Sequence, residues 1–227
     1  MKIYTVESTA VIPETQALFE RVWREGVELG KWTEDQYLKL EMSYVESVRL
    51  NTLIEALTNS AEWDIRMYPH DLSQYLDRPI LYHAPLELLD AADPEFPTQH
   101  PYVMSARMRD VILQSGVQGT SYPVAVFETS LLEQVSEEHI LSTFDREGHI
   151  RFHMLHLFEL LPLFDEATST RRNFVATHLP EDLPPFFVVS TGPCGSLLAT
   201  EEGKALLEQG QFRGVAFQEL PITWPEP

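Results

Sequence analysis

Ile3, Tyr4, Thr5 and Val6 are all β-branched or aromatic, and they predict a short opening strand. Pro13 ahead of Glu14-Thr15 is a helix-start signal, and Ala17, Leu18, Val22, Val27 and Leu29 form a helical stripe closed by Gly30. Thr33 and Gln36 have the spacing of a capping box. Beyond it, Leu38, Leu40, Met42 and Tyr44 alternate as in a strand, whereas Leu40, Tyr44 and Val48 recur every four residues as in a helix. From Glu46 to Leu57 the helical pattern is the better fit, so helical segments are expected near the N-terminus. Trp63–Met67 alternates as a strand, Asp71–Tyr75 suits a helical turn, and Pro79–Tyr82 another short strand. Asp90–Pro101, with three prolines, reads as a loop, and Leu131–Phe144 as a helix followed by a turn at Asp145–Gly148. Ile150–Phe164 is apolar on both faces, which leaves its type open between strand and helix.

The pattern repeats. Tyr102–Ser105 is followed by Met108, Val111, Ile112 and Leu113, then Gly116 and Gly119, then Tyr122–Phe127. Near the end, Phe187–Ser190 is followed by Ala205, Leu206 and Leu207, then Gly210 and Gly214, then Val215–Phe217. Both read as strand, Ser at a helix entrance, helix, Gly at the exit, strand, with Ser105, Gly116, Gly119, Ser190, Gly210 and Gly214 as structural positions. Ser105 to Gly116 spans 11 positions and Ser190 to Gly210 spans 20, so the second copy carries an insertion at Thr191–Ser196. The expectation is an α+β protein of two related strand-helix-strand halves on mixed sheets, divided as 1–130 and 131–227, or one domain with internal duplication.

Composition narrows the class. The 227 residues are 44% hydrophobic, enough for a core without disulfides. Cys194 is the only cysteine, which excludes an internal disulfide and disfavours a cysteine-based zinc site. No signal-peptide run opens the chain, and Phe152–Phe164 is too short and polar to cross a bilayer, so a cytoplasmic location is expected. The 35 acidic residues against 16 basic give −19, a field that repels phosphate backbones and anionic lipid and attracts basic proteins. Neither nucleic acid nor membrane is therefore an expected partner.

Candidate chemistry is sparse. Gly192-Pro193-Cys194-Gly195-Ser196 lacks the Gly-Lys-Ser/Thr ending of a phosphate loop. Cys194 and Ser190 lack the flanking signature of a hydrolase nucleophile. His149, His153 and His156 would share a face on a helix and present metal ligands, but on a strand His156 points away from the other two. They carry no His-Glu-x-x-His motif, so no metal or other cofactor is expected. Two acidic stretches remain as a binding surface: Glu34, Asp35, Glu41 and Glu46, and then Glu201, Glu202 and Glu208.

Phe152–Phe158, Leu163-Phe164-Asp165 with Ser169, Phe186–Ser190, and the close Ala205-Leu206-Leu207, Gly210, Gly214-Val215-Ala216-Phe217 and Leu220 together resemble the bacterial polymorphic-toxin immunity family numbered eleven. The earlier block from Asp93 and Phe96 through Val103–Ser105 to Phe127 resembles the matching block of that family, so the likeness covers roughly residues 80–220. The pattern departs at His156, where the family would carry a polar Asn, and at the insertion after Ser190. The resemblance implies neutralisation of a cognate toxin, basic at the contacted site, by tight binding and without catalysis. Two other classes fit the residues: a small metal- or His-dependent enzyme centred on His149, His153 and His156, and an acidic adaptor with an exposed apolar patch.

Overall fold

The computed structural model describes residues 1–8, 43–45, 52–53, 69–97, 102–136, 139, 148–165, 167–170, 173–178, 180, 182–190 and 196–225. In chain order, β1 (Ile3–Ser8) and β2 (Ser43–Tyr44) precede a 3-10 turn at Ser73–Tyr75, then β3 (Ile80–Ala84) and the helix α1 (Leu86–Ala92). β4 (Val103–Ser105), α2 (Ala106–Gln114), β5 (Gly119–Glu128) and α3 (Thr129–Gln134) follow. The remainder is β6 (His149–Leu157), β7 (Leu160–Leu161), β8 (Phe174–Val175), β9 (Phe186–Val189), β10 (Leu198–Thr200), α4 (Glu201–Gly210), β11 (Val215–Glu219) and β12 (Ile222–Thr223). The fold is α+β.

The helix at 14–30, the strand at Trp63–Met67 and most of the helices at 46–57 and Leu131–Phe144 fall on residues outside those described; Thr52 and Leu53, within 46–57, are described and helical. Within the ambiguous stretch, Ser43–Tyr44 is a strand, held antiparallel to β3. α2, α3 and α4 overlap stretches that the sequence pattern reads as helical. Leu86–Ala92 is a helix that it missed: its start is fixed by a side chain 42 residues away, the Glu128 carboxylate accepting from the Leu86 amide at 2.8 Å.

The repeat is real, and its register differs from the sequence reading. Ser105 is the last residue of β4 and caps α2, its hydroxyl accepting from the Met108 amide at 3.1 Å. The helix of the second copy begins not at Ser190 but at Thr200, the last residue of β10, whose hydroxyl accepts from the Gly203 amide at 3.3 Å. Ser190 instead follows β9, with its amide donating to the Leu161 carbonyl at 3.2 Å. At a constant offset of 95 residues, Ser105 matches Thr200, Ile112 matches Leu207, Gly116 matches Gln211, Gly119 matches Gly214 and Tyr122 matches Phe217. The two copies therefore need no insertion. Gly116 leaves α2 at φ +93°, but α4 ends on Gln211 at φ +50°, so Gly210 is the last helical residue rather than the left-handed one. Gly214, at φ +75°, turns the chain into β11.

Each copy is a split strand-helix-strand unit. β4 and β5 flank β6, both antiparallel to it, and β10 and β11 flank β1 in the same way. Two five-stranded sheets run β11-β1-β10-β9-β7 and β2-β3-β5-β6-β4, and β12 pairs with β8 in a separate two-stranded sheet. The middle strand follows its unit in one case and precedes it in the other. Sheet membership therefore crosses the 130/131 line: residues 3–8 belong with the C-terminal strands and 149–157 with the N-terminal ones.

α2 and α4 pack on each other, the start of one beside the end of the other. Arg107 on α2 donates to the Gly210 carbonyl at 2.8 Å, and its guanidinium lies 4.4 Å from the Phe212 ring centre. The Glu95 carboxylate accepts from Arg107 and from the Ser105 hydroxyl, while the Glu95 amide donates to the Arg213 carbonyl at 3.1 Å. This clasp joins the units on the surface. Beneath it, Val6, Phe186, Val188 and Ala199 of the first sheet form one apolar cluster with Leu207, Met108, Ile112, Val124, Val126 and Met154. Phe187, Val189, Leu198 and Ile3, on the opposite face of the first sheet, pack with Leu163, Phe164 and Phe174. Ala125 and Phe127, on the outer face of the second, pack with Val45, Leu81 and helix α3. Both sheets are thus covered on both faces, which is why Val124–Phe127 and Phe186–Val189 are unbroken apolar runs.

Candidate functional site

α4 is shaped by its two faces. Gly203 and Leu207 face inward, while Glu201, Glu202 and Glu208 are exposed. Glu201 and Glu208 are seven residues apart and so share a side of the helix. Glu201 and Glu202 lie in its first turn, where the free amides and the helix dipole stabilise negative charge. Lys204 limits the patch on one side: its ammonium is 3.6 Å from Glu208 and 4.6 Å from the Tyr4 ring centre. Lys2 pairs with Glu219 on the neighbouring edge strand β11 at 2.8 Å. The other acidic stretch, Glu34, Asp35, Glu41 and Glu46, lies outside the described residues, so only the second stretch is placed.

The histidines lie on a strand, β6, and not on a helix. β6 is bonded on both sides, to β4 and β5, which settles the type that its apolar composition left open. His149 is exposed, His153 half-buried and His156 buried, at 1% exposure. They form no cluster, and among the described residues no group of three or more His, Cys, Asp or Glu could hold a metal ion. Cys194 and the rest of 191–195 lie outside the described residues.

His156 is instead one end of a polar chain through the core. Its Nδ1 is 2.8 Å from the Tyr122 hydroxyl, which accepts from the Leu72 amide at 2.9 Å and lies 3.4 Å from the Asp71 carboxylate. Burial pushes the Tyr122 phenol well above its ordinary value. The Ser73 hydroxyl and amide, aided by Tyr122 and His156, hold the exposed Asp71 carboxyl below its own. The sequence reading missed this trio because its members are 51 and 34 residues apart and come from a loop and two different strands. One signal was available: a histidine in a run apolar on both faces must find a polar partner if it is buried.

His153 and His83 carry a simple pH dependence. Burial holds both imidazoles below the ordinary histidine range, with the Arg109 charge adding to the effect at His153. Below about pH 6.5 the unfolded chain therefore binds protons that the folded chain refuses. The stability contribution is complete above that pH and is lost on acidification. Thermal melts from pH 7.5 to 5.5 are expected to show a smaller loss of stability in His153→Gln than in the parent. An unchanged slope would refute the assignment.

No protein-family model matches the chain, and no curated protein is significantly similar to it. Among the described residues, no helix is long and apolar enough to cross a membrane.

Proposed function

We propose that the chain is a cytoplasmic immunity protein that neutralises a cognate toxin by occupying the toxin's basic working surface. The observation that carries this reading is the placement of Glu201, Glu202 and Glu208 on a helix whose opposite face is locked into the core, in a chain of net charge −19. A charged face on a rigid element suits capture. The summed field raises the encounter rate with a basic partner, and a fixed helix loses little freedom on docking. In the most elaborate group of titratable side chains, only Asp71 is at the surface, while its partners Tyr122 and His156 lie in the core at 2% and 1% exposure. A substrate would not reach them there. The large apolar side chains exposed among the described residues, Met1, Tyr75 and Ile150, are scattered, which favours a charged contact over an adaptor's apolar patch.

The test is co-expression and binding with the protein encoded next to this one. A toxic neighbour is expected to be captured at one-to-one stoichiometry and rendered harmless, with association slowing steeply as salt rises. Replacing Glu201, Glu202 and Glu208 together by Gln is expected to slow association by roughly tenfold at low salt and to flatten the salt dependence. Unchanged binding in that variant would remove α4 from the interface. Absence of any captured toxin would remove the function.

A further inference from the structure

The likeness between the two units runs beyond the helix and the strands beside it. β3 pairs parallel with the far end of β5, His83 beside Phe127 and Ala84 beside Glu128. At the 95-residue offset Phe127 and Glu128 become Ile222 and Thr223, which pair parallel with Phe174 and Val175 of β8. β11 and β12 together are thus the counterpart of β5, and β8 is the counterpart of β3. The Ser105 amide donates to the Glu95 carbonyl at 2.7 Å, and the Thr200 amide to the Pro185 carbonyl at 3.0 Å. A buried phenylalanine follows the acceptor in both copies, Phe96 and Phe186. The middle strands match as well, at an offset of their own. Leu155 donates its amide to the Tyr102 carbonyl at 2.7 Å, and Val6, 149 positions earlier, to the equivalent Leu197 carbonyl at 2.9 Å. On the other side Met154 faces Tyr122 and Val6 faces the equivalent Phe217, a difference of one residue.

The matched elements come in one order. The first copy reads β1, β3, Phe96, β4, α2, β5, and the second reads β6, β8, Phe186, β10, α4, β11 with β12. Yet β6 sits between β4 and β5, and β1 between β10 and β11. Each copy's opening strand completes the other copy's sheet. We propose that the chain is a fused strand-exchanged dimer, two copies of one unit, in which the partner each half fits is another such half. A strand in the middle of its partner's sheet gives up ladder bonds on both edges when it leaves, so neither half keeps a complete sheet without the other. The copies differ where they meet solvent. At the positions of Glu201, Glu202 and Glu208 on α4, α2 carries Ala106, Arg107 and Leu113. Arg107 ties the units together in the clasp, whereas α4 bears the acidic face. No toxin is needed for this assembly, so it stands or falls apart from the immunity reading.

A cleavage site inserted in the 140–147 stretch, cut only after the full chain has folded, tests the exchange. The two pieces are expected to stay together as a one-to-one complex whose melting temperature rises with concentration, while that of the uncut chain does not. On dilution, amide protection in β1 and in β6 is expected to fall together by roughly tenfold or more, although the two strands lie on different pieces. A melt of the cut protein that ignores concentration, or separated pieces that keep β1 or β6 protected, would each overturn the proposal. A second measurement keeps the chain continuous. Residue 227 is joined to residue 1 by a short glycine-serine linker and the chain is opened at 140–147, which places the second copy first. The strands next to these ends are already side by side, the Leu220 amide donating to the Ile3 carbonyl at 2.9 Å. Equivalent halves do not depend on their order, so the reordered chain is expected to melt within about 4 °C of the parent and to protect β1 and β6 as the parent does. Loss of protection in either strand of the reordered chain would also overturn the exchange.

Discussion

Gly203→Ala is expected to destabilise the fold by at least ~3 kcal/mol, the upper range of overpacking in a closed site. A Cβ at position 203 would lie 2.0 Å from the Pro185 carbonyl oxygen and 2.8 Å from its carbon. Both are backbone atoms, and they cannot retreat cheaply, because the same carbonyl accepts from the Thr200 amide at 3.0 Å. Phe186, with no exposed surface, closes the other side at 3.2 Å. The glycine is there for close approach: α4 lies directly on the chain entering β9. In the first copy the equivalent residue is Met108, a fully buried side chain, so the two helices sit at different depths on their sheets. Gly116→Ala is the control. Its Cβ would meet nothing within 4 Å, and only the φ of +93° penalises it, by about 1 kcal/mol. In thermal melts, 3 kcal/mol corresponds to a fall of roughly 6–12 °C in a chain of this size. A Gly203→Ala protein melting within a degree or two of the parent would show that α4 does not dock this closely.

Phe186→Ala should cost about 3–5 kcal/mol, the usual loss for emptying a fully buried aromatic site. The more telling outcome is where the loss is felt. Phe186 belongs to the same cluster as Val124, Val126 and Met154 of the other sheet, so the two split units share one core. Amide exchange in β5 and β6 should therefore accelerate together with that in β9 and β10, in one cooperative step. Exchange that speeds up only in the first sheet would instead define two independently folding halves.

What the sequence revealed was whatever has a local cause. The first unit was legible because Ser105, the apolar pair Met108 and Ile112, and Gly116 each act within four or five residues of themselves. The second was found but misaligned. Phe186–Val189 is the longer and more apolar strand, so it drew the Ser190 that follows it into the role of cap. The three-residue β10, with Thr200, lies between the Thr191–Ser196 insertion and the apolar helix positions and was read as neither strand nor cap. The 95-residue register would have corrected this, but Gln211 in place of a glycine hid it. β6 was ambiguous because burial on both faces erases the period that separates strand from helix. The Asp71–Tyr122–His156 chain and the Glu95–Arg107 clasp were illegible for a different reason. Each joins elements that sequence pattern identifies singly, and only the packing brings them together. The acidic face of α4, by contrast, followed from charge and helical spacing alone.

The placement of β1 has a consequence for how the molecule comes off the ribosome. Ile3–Ser8 pairs only with strands that begin nearly two hundred residues later, at Leu198 and Val215. The unit around β6 can close as soon as residue 157 has emerged, since β4 and β5 already flank it. Throughout that interval the nascent chain carries an orphan strand with Ile3, Tyr4 and Val6 uncovered and both backbone edges unpaired. Such a segment is an obvious handhold for a chaperone, since β1 can be covered only by insertion between two strands made about two hundred residues after it.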